Sequence, residues 1–177
     1  MTPRVTQAVN VCVNLRWRLR GGSGRLVVEL YGDFDETADL SELALALRGP
    51  VAIDLGGIRR INSAGVREWI EFVRNLPHVT ELRLVGCSKV SVVQLNLIEN
   101  FRGPARVESF WAPYSCACGN EREILLEARD ARAGAARVPT APPVVCECGR
   151  IMELDELPDR YFLFLADRAV HLGAARA

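Results

Sequence analysis

Lysine is almost missing from this sequence: Lys89 is the only one, and every other basic side chain is arginine. Histidine is scarce as well. His78 and His171 stand alone, and neither has an acid or a nucleophile at motif spacing, so histidine-based acid–base catalysis is not expected. Net charge is absent, because 22 basic residues cancel 22 acidic ones. No global field is left to gather nucleic acid or an acidic membrane. No stretch approaches the roughly 20 apolar residues that span a bilayer, and residues 1–10 lack the apolar run of a secretory signal. The expectation is a cytoplasmic chain with no membrane association, in a reducing compartment where cysteines serve more often as metal ligands than as disulfides. A glycine-rich phosphate loop, a catalytic triad and a carboxylate pair are also missing. The chain is therefore expected to be no enzyme.

What remains is an ordinary apolar share, 49% of 177 residues, enough for one mid-sized domain and a small appendage. Val11, Val13, Leu15, Trp17 and Leu19 alternate with Cys12, Asn14, Arg16, Arg18 and Arg20, which predicts one strand over 11–20. Residues 21–24 predict a hairpin turn and 26–31 a second strand. Leu40, Leu43 and Leu47 recur at helical spacing until Gly49-Pro50 ends the run. A strand over 51–55 follows, then a loop, then a helix over 66–76 whose apolar face is Val66, Trp69, Ile70 and Val73. Residues 82–85 predict a strand, 88–101 a helix apolar on more than one face, and 105–111 a last strand. The order ββαβαβαβ is an α/β arrangement, a mixed sheet with crossover helices.

The character changes near Pro113, which divides the chain into 1–112 and a small β domain over 113–177. Here four cysteines arrive in two pairs, separated by a stretch rich in Ala, Arg and Pro over 128–143. Residues 151–157 and 161–165 are apolar enough to pack back, and Phe162 and Phe164 alternate with Leu163 and Leu165 as in a buried strand. The tail over 173–177 is expected to fray.

Two segments carry chemistry. In the first, an apolar strand leads into Asn62-Ser63-Ala64-Gly65 and then Val66 and Arg67. Asn or Ser here can cap a helix through its side-chain oxygen, and Gly65 permits close approach of another backbone. A capped helix explains this much without any function.

Together with the element order, this loop resembles the STAS family, the domain of bacterial anti-sigma-factor antagonists and of sulfate-transporter tails. The resemblance covers about residues 10–112 and rests on the family's Asp-Ser-Ser-Gly motif at a helix start. It implies that the loop and the following helix face a partner: a regulatory kinase, an anti-sigma-like factor or another signalling component. In the family, phosphorylation of the second serine breaks that complex. Asn62 stands at the motif's aspartate, Ser63 at its first serine, Ala64 at the phosphorylated serine, and Gly65 matches. Alanine has no hydroxyl, so the family's switch cannot operate at Ala64. Either the chain is not switched in this way or the neighbouring Ser63 takes the phosphate.

The second segment is Cys116-Ala-Cys118-Gly119 with Cys146-Glu-Cys148-Gly149. Two thiolate pairs from separate turns can complete one tetrahedral, structural Zn2+ site, and the glycine permits the tight turn that aims both sulfurs inward. One residue between the cysteines, rather than the usual two, departs from ribbon spacing in both pairs. Two disulfides, a Cu(I) site and unpaired structural thiols remain alternatives. Cys12 and Cys87 have no partner pattern and read as core residues. Asp33 and Asp35 read as local turn or helix-start charge, and Asp54, alone in an apolar strand, does not make a site.

Two function classes follow. One is an interaction module with a zinc ribbon that extends the binding surface or mediates self-association into a homo-oligomer. The other is a nucleic-acid-binding regulator contacting DNA or RNA through the ribbon. Against the second, Arg122, Arg129, Arg132, Arg137 and Arg150 are interspersed with Glu121, Glu123, Glu127, Asp130 and Glu147, so no basic stripe forms.

Overall fold

The computed structural model of the chain describes residues 10–11, 14–21, 24–131 and 140–165. Cys12, Val13, Gly22, Ser23, residues 132–139 of the Ala/Arg/Pro-rich stretch with Arg132 and Arg137, His171 and the 173–177 tail lie outside the described residues.

The fold is mixed α/β. A first sheet is built from β1 (Asn10–Val11), β2 (Leu15–Gly21), β3 (Leu26–Phe34), β4 (Gly49–Ile61), β5 (Val79–Val85) and β6 (Arg106–Val107), hydrogen-bonded in that order. Strands β1 to β3 are antiparallel neighbours and β3 to β6 are parallel ones. The predicted strand over 11–20 is in fact two, since β1 folds back on β2 with Asn10 opposite Trp17. Helices α1 (Ser41–Ala46), α2 (Ser63–Arg74) and α3 (Lys89–Leu97) make the three crossovers between parallel strands. The apolar stripe that predicted α1 is fully used, for Leu40, Leu43 and Leu47 are all buried. Strand β4 runs six residues past the predicted end at Leu55. Gly56-Gly57 looked like a loop, but they continue the strand beside Tyr31, and the register slips there.

Trp69 on α2 is the centre of the first layer. It is wholly buried, with ring centroids 5.5 Å from Phe34, 5.7 Å from Phe72 and 5.6 Å from Phe101. Its indole N–H donates to the Phe101 carbonyl at 2.7 Å, which satisfies the one polar atom that burial would otherwise penalise.

The predicted last strand over 105–111 is divided. Its first part is β6, and from Ser109 the chain enters a second, antiparallel sheet ordered β8-β7-β10-β9, with β7 Ser109–Ser115, β8 Glu121–Glu127, β9 Val144–Val145 and β10 Ile151–Leu154. The two sheets join along one edge. Past β5, the Cys87 N–H donates to the Ser109 carbonyl (3.1 Å) and the Trp111 N–H to the Cys87 carbonyl (2.9 Å). Cys87 is buried at this junction, and burial, with Asp54 adding to it, pushes its thiol well up. It is a core residue, as expected.

After β8 comes the four-residue α4 (Ala128–Ala131), and the Thr140 N–H donates back to the Ala131 carbonyl at 3.0 Å. Residues 161–165 do not form the expected strand. Pro158 opens a helical turn, α5 (Pro158–Tyr161), followed by a 3-10 turn, Leu163–Leu165. A proline at the first helical position supplies the right φ and loses no needed N–H. Tyr161, Phe162 and Phe164 then gather round Phe110 with centroids 5.1–6.4 Å apart. Asn96 on α3 clamps this segment: its amide donates to the Tyr161 carbonyl (3.0 Å) and accepts from the Phe164 N–H (2.8 Å). The buried side chains thus form one continuous set from Val28 and Trp69 through Phe110 to Met152 and Phe162. Among the described residues, no helix is long and apolar enough to cross a membrane.

Candidate metal centre

The two cysteine pairs occupy the turns of two hairpins, one joining β7 to β8 and the other joining β9 to β10. The turns repeat each other bond for bond. Gly119 N–H donates to the Cys116 carbonyl at 2.8 Å, and Gly149 N–H to the Cys146 carbonyl at 2.9 Å. The first cysteine of each pair donates its own N–H to the residue four on, Asn120 or Arg150, at 2.9 and 2.8 Å. Both glycines have left-handed φ, 86° and 84°, a region that costs a side-chain-bearing residue energy. This is the local reason for the repeated Cys-x-Cys-Gly.

Strand β10 pairs with β7 and so brings the hairpins face to face. The Sγ atoms of Cys116, Cys118, Cys146 and Cys148 all lie within 4.8 Å of one another. Cys116 Sγ is 3.6 Å from Cys148 Sγ, and Cys118 Sγ is 3.7 Å from Cys146 Sγ. Four thiolates about 2.3 Å from a tetrahedral Zn2+ would be about 3.8 Å apart, whereas a disulfide would need about 2 Å. All four are free thiols, with Cys116 and Cys146 buried and Cys118 and Cys148 at the surface.

Electrostatics within the cluster is uneven. The Cys148 N–H chiefly, helped by the Asn120 amide and the neighbouring thiols, brings Cys146 down to about 6. For Cys148 the Arg150 N–H lowers the thiol, but the hydrogen bond with Cys118, burial and the other sulfurs outweigh it and push it up to about 12. Four sulfurs this close resist ionising together without a cation among them. Asn120, whose amide nitrogen lies 3.5 Å from Cys146 Sγ, was not singled out from the sequence. Its signal was its place directly after Cys-x-Cys-Gly, where the second pair has Arg150. Arg122 and Glu147 form an ion pair between the two hairpins.

The other predicted segment lies on the first layer. Asn62 caps α2: its Oδ1 accepts from Ala64 N–H (3.0 Å) and Gly65 N–H (2.9 Å), and its Nδ2 donates to Glu36 (2.8 Å). Ser63 is the first helical residue. Asn62, Ser63 and Arg67 are exposed, Ala64 and Val66 half-buried, and Gly65 buried. A Cβ on Gly65 would overlap the Phe34 carbonyl, so the close backbone approach expected there is present. This loop and the cysteine cluster are separate surfaces.

No family model matches the chain, and no curated protein matches it.

Proposed function

We propose that this chain is a cytoplasmic protein-interaction module rather than an enzyme, with its C-terminal sheet stapled by one structural Zn2+. The observation that carries the metal reading is the sulfur geometry, four thiols from two matched turns within 4.8 Å. Four sulfur ligands would leave no open position for water or substrate, which favours a structural role over a hydrolytic one. Under reducing conditions the purified protein is expected to carry about one Zn2+ per chain, and Cys116→Ser with Cys146→Ser to carry none. In protein from cells grown without added copper, elemental analysis that finds copper in place of zinc, or no metal at all, would overturn this reading.

The docking edge in this reading is the start of α2, similar to that of an anti-sigma-factor antagonist but without a switch. Its support is the exposure of Ser63 and Arg67 on a helix whose second and third N–H groups, of Ala64 and Gly65, are already taken by Asn62. Native protein is expected to carry no phosphate on Ser63. Arg67→Glu is expected to abolish partner capture at unchanged stability, while Ser63→Ala leaves it in place. Stoichiometric phosphate on Ser63 in the intact mass would instead mean that the switch has moved one residue. The nucleic-acid reading is weaker, because Arg122 and Arg129 are engaged by Glu147 and Asp130.

A further inference from the structure

A cleft of about 820 Å3 lies where the two sheets meet, at the carboxyl end of β5, where its parallel pairing with β4 stops at Asp54 opposite Val85. Ligand sites of open α/β sheets favour this end of the strands. One wall is Tyr31, Asp54, Gly56, Gly57 and Gly86. The other is Trp111 and Leu125, which face each other across β7 and β8, with Glu123 beside them.

Asp54 is the unusual member. It lies level with Glu29 on the neighbouring parallel strand, so two carboxylates stand side by side, an unfavourable pairing. Glu29 is compensated by Arg20 at 3.0 Å, Arg18 at 3.8 Å and the Tyr31 hydroxyl at 2.8 Å. Asp54 has no cationic partner among the described residues and only one neutral donor, the Gly56 N–H at 2.8 Å. The two basic residues of the cleft are already engaged, Lys89 with Glu156 (3.0 Å) and Arg59 with Asp33 (3.4 Å). Glu123 forms no ion pair among the described residues either.

The backbone is shaped round this carboxylate. A Cβ on Gly86 would come 2.9 Å from Asp54 Oδ1, and one on Gly56 would come 3.1 Å from it and 3.3 Å from the Trp111 indole nitrogen. Glycine at both places keeps Asp54 and Trp111 within reach of one small molecule. A half-buried carboxylate without a counter-ion recognises a cationic head through a charge-assisted hydrogen bond, and the exposed Leu125 with the neighbouring Trp111 offers apolar surface for an uncharged body. A metal ion would want more oxygen ligands than one carboxylate.

We propose that the cleft between Asp54, Tyr31 and Trp111 binds a small organic monocation, an ammonium or guanidinium carried on an apolar or aromatic body. The charged head sits on Asp54, and the body lies against Trp111 and Leu125. This holds whether or not α2 docks a partner. It does depend on the β7–β8 hairpin, which carries one wall of the cleft and the first cysteine pair.

The test uses the full-length, metal-loaded protein and three probes of one shape: phenethylammonium, the neutral phenethyl alcohol and the anionic phenylpropanoate. Amide signals of Gly56 and Gly86 and the indole signal of Trp111 are followed by NMR titration. The cation is expected to shift these signals and to bind about tenfold or more tighter than the alcohol. Asp54→Asn, which keeps an acceptor for Gly56, is expected to remove that preference. Equal binding of cation and alcohol, better binding of the anion, or no shift up to about 10 mM would overturn the proposal. So would a preference that survives in Asp54→Asn.

Discussion

Asn62 concentrates much of the order of the first layer into one amide, serving two helix N–H groups with one oxygen and Glu36 with its nitrogen. Asn62→Ala is expected to cost about 1–2 kcal/mol in a urea melt, and Asn62→Asp to recover only part of this, since it keeps the capping oxygen but sets a second carboxylate against Glu36. Asp54 acts in the opposite direction. Burial, opposed by the Gly56 N–H and reinforced by Glu29, holds its carboxyl above the usual carboxylate range. The folded chain therefore keeps this proton to higher pH than the unfolded chain. Its contribution is favourable at low pH and is lost as pH rises from about 3.9, the unfolded value, through the folded one. Asp54→Asn is accordingly expected to raise Tm at neutral pH, with the gain shrinking as pH falls through the raised folded value and gone below about 3.9. A thermal melt series against pH reads this directly. A residue that weakens its own fold fits a site where binding is kept at some expense in stability.

At the scale of elements, the two cysteine turns show how a local pattern survives translation into structure. Gly119 and Gly149 have nothing within 4 Å of an added Cβ, so alanine there would meet only the left-handed backbone penalty, about 1–2 kcal/mol. Each glycine-to-alanine change is expected to weaken Zn2+ about tenfold in a chelator competition without abolishing it. These turns were legible because their whole logic fits within four consecutive residues. The alternation at Phe162 and Phe164 was misleading for a physical reason. Over five apolar residues, periods of 2 and 3.6 are hard to distinguish, and the decisive contacts came from Pro158 and the distant Asn96. The cleft was illegible for a related reason: Asp54 reads as a stray charge until Trp111 is folded against Gly56 by a different sheet. The extension of β4 through Gly56-Gly57 depends on Tyr31 in the same way.

For the whole molecule, the continuous set of buried side chains would make a metal held by the four cysteines more than a local staple. Phe110 and Tyr114 on β7 are packed within the same set as Trp69 and Val28, and Tyr161 ties α5 to the Trp111 carbonyl at 2.7 Å. Removing Zn2+ with a strong chelator is therefore expected to lower the temperature of one cooperative transition. Two separate calorimetric peaks would mean that the sheets unfold independently.

The spacing of the facing sulfurs also bears on biosynthesis. Cys116 and Cys118 precede their partners by 32 and 28 residues, which at about 5–20 residues per second is a delay of some seconds on the ribosome. During that interval the nascent chain offers a two-thiolate chelate, a set that suits Cu(I), before it offers the four-thiolate set that suits Zn2+. The metal finally held would then depend on supply during translation as well as on equilibrium affinity. Protein made in copper-supplemented cells is expected to carry a copper fraction that the same chain, refolded in zinc, does not.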